Sequence, residues 1–172
     1  MTRAILALLV GSAMCTSILE RAQAQSPAMP TPANLGQLMK GTLYPESNVV
    51  FAAQDVNPGE IPHAKDPSMS TDLLTSQYGK WEAVENSALA IAEVANLLNL
   101  PGRKCANGLD VPVKNADWIK FTQGLRDAGM TAYAAAQAKN QDKMTDVADV
   151  MTTACKSCHD RYREKKPADR CK

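Results

Sequence analysis

Apolar residues recur at alternating steps of three and four in four separate stretches of this 172-residue chain, and that spacing constrains its fold more than any other feature. The clearest stretch carries Trp81, Val84, Ala88, Ile91, Ala95 and Leu98 and stops at Pro101-Gly102. Such steps place all six side chains on one face of a helix, and the proline and glycine end it. A further helix is expected from an Asn115 cap, with Trp118, Leu125, Ala128, Ala132 and Ala135 on one side. Its alanines would let a neighbouring helix, or a flat cofactor, come close.

The last helix is expected from about Gln141 to about Lys166, where Pro167 ends it, with Met144, Val147, Met151, Ala154, Cys158 and Tyr162 as its stripe. The first should start just after the proline-rich segment 26–32, with Thr31 as N-cap and Pro32 at the first helical position. Leu35, Leu38 and Met39 give it an apolar face. Pro45 disfavours helical geometry at Tyr44, which predicts a kink or break there before the helix resumes through Val49, Val50 and Phe51. The segments 57–70 and 101–114 read as loops, rich in proline and turn signals. Aromatic residues are only 5 %, which favours helices over a β-sandwich. The expected fold is all-α: an antiparallel four-helix bundle.

The N-terminus reads as an export signal over residues 1–24. Arg3 precedes an apolar run from Ala4 to about Ile18, and Ala22-Gln23-Ala24 forms a small-residue cleavage site. The run is about 15 residues where a membrane span needs roughly 20, so the chain is not expected to be an integral membrane protein. Met14 before Cys15 argues against a lipid anchor. Cleavage after about Ala24 leaves one domain, 25–172, and a periplasmic location is expected. The full chain has 19 basic and 18 acidic residues; removing Arg3, Arg21 and Glu20 leaves 17 of each. A net charge of zero argues against nucleic acid as a partner.

Cys155-Lys156-Ser157-Cys158-His159 sits on the last helix. A zinc site would need four ligands, and the remaining candidates, Cys105, Cys171 and His63, contain no second C-x-x-C. A thioredoxin-type dithiol belongs at a strand-to-helix turn, and no β-α-β pattern surrounds the motif. Covalent haem attachment needs two thiols on successive positions of one helical turn and a histidine directly after them to bind the iron. Cys155, Cys158 and His159 supply that arrangement, so one covalent haem c per chain is the expected cofactor. A cofactor-free structural bundle would leave the motif unexplained.

The chain resembles the class II c-type cytochromes, meaning cytochrome c′ and its low-spin relatives. The resemblance rests on C-K-S-C-H-D-R-Y-R at the C-terminal end, on "LMK" at 38–40, and on the four helices, and covers most of the mature chain. It implies a bundle holding a five- or six-coordinate haem with His159 as proximal ligand. Tyr162 and Arg163 follow the family's C-H-x-x-Y-R pattern; Arg163 would either pair with a haem propionate or be an exposed helix-end arginine. The long 101–114 loop and two extra cysteines depart from the family pattern.

The sixth iron ligand separates two functions. A methionine there makes a low-spin one-electron carrier, not an enzyme, working between a donor and an acceptor that are unidentified. An open position makes a gas-binding haem protein in which Leu38, Met39 and Phe51 only shape the pocket. His159 is expected about seven residues before the end of the last helix and Met39 about seven after the start of the first, so both lie roughly 10 Å in from the same end of the bundle. The low-spin branch places its ligand methionine in a similar "LMK", which points to Met39; the alternative is that Met39 is core filler. Met29, Met130, Met144 and Met151 are expected in core or surface roles, and His63 as a solvated loop side chain. Cys105 and Cys171 should meet at one end of the bundle as a disulfide, unless they stay free or pair between chains. Apolar faces on the first two helices could also build a homodimer, as the family often does.

Overall fold

The computed structural model describes residues 30–164 and Cys171. The expected export signal, its cleavage point, Met29 and the tail around Pro167 lie outside the described residues. The helices are α1 (Leu35–Leu38), α2 (Tyr44–Asp55), α3 (Trp81–Leu97), α4 (Ala116–Gln137) and α5 (Gln141–Cys158). A π-helical turn, Met39–Leu43, joins α1 to α2 into one rod, and a second, His159–Arg163, continues α5. The described residues therefore form four helical rods, and their one β pairing is an isolated bridge between Lys104 and Asp110. No helix among them is long and apolar enough to cross a membrane.

Two boundaries differ from expectation. The first helix is capped by Asn34, not Thr31, because Asn34 and Gln37 form a reciprocal capping box: Gln37 N donates to Asn34 Oδ1 at 2.9 Å and Asn34 N to Gln37 Oε1 at 2.9 Å. Pro32 therefore stays outside the helix. The rod does not break at Pro45. It widens instead into a π turn in which Tyr44 N bonds to Met39 O, five residues back. At the other end helical geometry stops at Arg163, with Glu164 as its cap, short of the expected Lys166.

The links explain the antiparallel order. Between α4 and α5, Lys139 takes a left-handed conformation (φ 50°). Asn140 N then bonds to Ala135 O at 3.1 Å and Lys139 N to Ala136 O at 2.9 Å, a Schellman closure. The Asn140 side chain in turn caps α5 by accepting from Lys143 N. Segment 56–80 between α2 and α3 contains three short 3₁₀ turns, and His63 is exposed there with Nδ1 2.8 Å from the Ser76 carbonyl. Helix α2 packs on α3 and α5, and α4 packs on the same two, so the four rods enclose a single core. Val50, Val84, Ile91, Leu98, Trp118, Met144 and Met151 fill it.

The closest approach is between α3 and α4. A Cβ on Gly129 would stand 2.9 Å from Ala88 O and 3.0 Å from Ala92 N, both backbone atoms that cannot swing aside. On Gly124, one turn earlier, it would meet nothing within 4 Å. Alanine is preferred to glycine inside a helix by about 1 kcal/mol, while overpacking a tight contact costs about 1–3 kcal/mol. Gly129→Ala should therefore lower the urea midpoint and Gly124→Ala raise it. A parallel shift of the two would contradict this account of the interface.

Candidate functional site

Helix α5 buries Met144, Val147, Ala148 and Met151. Ala154, Cys155 and Cys158 extend its apolar side, but they are only half-buried against the core. Leu38, Met39, Leu43 and Phe51 of the first rod are half-buried in the same way. The apolar stripe of α3, from Trp81 through Val84, Ala88 and Ile91 to Ala95, is by contrast fully buried.

Cys155 and Cys158 are both free, one helical turn apart. Burial pushes both thiols up, and the neighbouring Cys155 and Asp117 help to bring Cys158 to about 11. Both are thus protonated at neutral pH, unlike the acidic nucleophile of a redox dithiol. Cys105 and Cys171 are bonded to each other, with Cα atoms 5.0 Å apart, so neither is left to complete a zinc site. Among the described residues no three His, Cys, Asp or Glu side chains come together to hold a metal ion. His159 is half-buried and opens the second π turn, its carbonyl accepting from Glu164 N at 2.9 Å. Burial, and secondarily the Arg163 cation, hold its pKa below the ordinary value, against a smaller pull from Glu164 and Asp160. The neutral imidazole, the form that binds metals, is thereby favoured.

The loop between α3 and α4 brings the start of the first rod and the end of the last to one place. The buried Arg103 guanidinium donates to Leu97 O at 3.1 Å and Ala33 O at 2.6 Å, and Lys104 O accepts from Leu35 N at 2.8 Å. Cys105 carries the disulfide to Cys171, whose N–H bonds to Tyr162 O at 3.2 Å. Met39 follows four helical residues from Leu35, and His159 precedes four ending at Arg163. Both are about 6 Å in from that end at 1.5 Å per residue. The expected distance of roughly 10 Å was too long by the same amount on both rods, because each ends three residues short.

Sequence reasoning missed a polar latch on the motif. Asp117, in the first turn of α4, accepts from the Tyr162 hydroxyl at 2.5 Å and from Arg161 Nε at 2.8 Å. Asn115 Nδ2 reaches the same hydroxyl at 3.5 Å rather than capping α4 with its side chain. The Tyr162 ring meets Trp118 edge-on, centroids 5.0 Å apart, and Arg161 lies 5.6 Å from its centre. The Trp118 indole N–H is buried and without a hydrogen-bond partner. Arg163 is exposed and pairs with its neighbour Glu164 at 2.5 Å. The one sequence cue to the latch was an acidic residue two places after a helix cap, and that cue suits any helix start.

No protein-family model, no curated protein and no solved structure matches the chain.

The Tyr162 hydroxyl and the Arg161 guanidinium hold the Asp117 carboxyl below the usual carboxylate range. A depressed folded value means that the latch adds stability above about pH 4, the ordinary aspartate value, and that this is lost as pH falls through the folded value. Asp117→Asn should therefore lower the urea midpoint at pH 7, with the gap to the parent closing in acid. A gap independent of pH would show that the carboxylate charge contributes nothing.

Proposed function

We propose that the chain is an exported, periplasmic c-type cytochrome that carries single electrons and is not itself an enzyme. In this reading Cys155 and Cys158 hold one haem through thioether links, His159 is the proximal ligand and Met39 the distal one. The observation that carries it is the geometry of the motif itself: two uncrosslinked thiols one turn apart, followed directly by an imidazole, on a half-buried apolar face. The donor set suits haem better than zinc or dithiol chemistry. The unpartnered Trp118 N–H beside Tyr162 is a spare donor for a polar group bound at this end. Resemblance to the class II cytochromes supports the same assignment.

A haem held there would supply a one-electron iron couple. The chain's residues set how that couple behaves. The Asp117–Tyr162–Arg161 latch fixes the helical turn that carries His159, and the Cys105–Cys171 disulfide anchors the chain beyond it. A thioether ligand that stays bound in both oxidation states keeps reorganisation small, which suits electron transfer. Arg163 contributes through charge: its pair with Glu164 is exposed and weak, so it can exchange toward a propionate. The redox donor and acceptor are unidentified proteins.

A second reading, a gas-binding haem protein with an open sixth position, draws on Leu38, Met39 and Phe51 being half-buried apolar neighbours of the core, suited to shaping a pocket. Met39→Ala in the haem-loaded protein separates the two. Loss of a thioether ligand should turn a low-spin ferric spectrum high-spin, lower the reduction potential and admit carbon monoxide, with haem retained on Cys155 and Cys158. Core filler would leave the spectrum unchanged and cost at most roughly 2–5 kcal/mol of stability. An unchanged low-spin spectrum would refute Met39 as ligand, and a parent already high-spin would support the gas-binding reading.

A further inference from the structure

Both π turns among the described residues begin at a residue assigned to the iron, Met39 in one and His159 in the other. Such turns are rare, cost hydrogen-bond quality, and occur as single inserts at functional positions. The first has a visible cause. Pro45 has no N–H to give Gly41 O, and in an unbroken α-helix its ring would collide with that carbonyl. Widening the turn resolves the clash, and Tyr44 N bonds to Met39 O instead.

The widening changes where Met39 points. In an unbroken α-helix Met39 would precede Val50 by three full turns and share its face, which is fully buried together with Ala53. A π turn holds one extra residue, so everything before it is rotated by about 100° around the axis. Met39 is accordingly only half-buried against the core.

We propose that Pro45 is a positioning residue: it imposes the π turn that takes Met39 off the closed centre of the bundle and presents its thioether to the haem. The inference rests on Met39 being the sixth ligand. In the haem-loaded protein Pro45→Ala and Pro45→Gly both restore an N–H and remove the ring, allowing the α register to return. Both should shift the ferric spectrum from low toward high spin, lower the reduction potential and speed carbon monoxide binding, with covalent haem retained. Ser47→Ala removes only the hydroxyl bond to Tyr44 O in the first turn of α2, beside Pro45, and should leave the spectrum as in the parent. If Met39→Ala changes the spectrum while both Pro45 variants keep it, the role of Pro45 is refuted and the ligand stands. If Met39→Ala itself changes nothing, the ligand assignment falls and this inference falls with it.

Discussion

Three consecutive residues of one loop hold the candidate site together. Arg103, Lys104 and Cys105 fasten the start of the first rod, through Ala33 O and Leu35 N, and the end of the last, through Cys171 and Tyr162 O. Helix α1 is the single end turn of the first rod, where helices fray unless tied down. The buried guanidinium ties down that turn, and a disulfide spanning 66 residues ties the loop to the end of the last rod. In the chain-entropy model that crosslink is worth about 4 kcal/mol. Met39 and His159 are both counted from this clamp, so their levels along the bundle are tied to one another.

The latch on Tyr162 adds the sideways constraint. Asp117 binds α4 to the turn after His159 through two hydrogen bonds, and the Trp118 and Phe121 rings close around the tyrosine. The motif therefore sits on a helix fixed from two directions, against α4 and against the 103–105 loop.

Helices α3, α4 and α5 were legible from apolar spacing, since each carries a one-faced stripe, through Ile91, Trp118 and Met144 respectively, that tertiary packing only reinforces. The ends of the first and last rods were not. Asn34 and Thr31 are both good caps, and only the reciprocal bond with Gln37 decides between them. Proline at 45 reads as a break until its clash is seen to be absorbed by one widened turn. The second π turn, at His159, has no proline cause, and the structure offers no local reason for it. Partners such as Asp117 and Tyr162 lie 45 residues apart on helices whose rotation the sequence leaves open. The cysteine pairing was accessible because, with the C-x-x-C pair and the expected export signal set aside, only Cys105 and Cys171 remained and both fell at one end of the bundle.

The central claim is that Cys155 and Cys158 carry haem. Mass measurement of the protein, after denaturation and acidic organic extraction that removes non-covalent haem, tests it most directly. The account predicts the polypeptide mass plus one haem, with the added mass on the peptide spanning Cys155 to His159 and the Cys105–Cys171 disulfide intact. A chain of unmodified mass with two free thiols at Cys155 and Cys158 would contradict it.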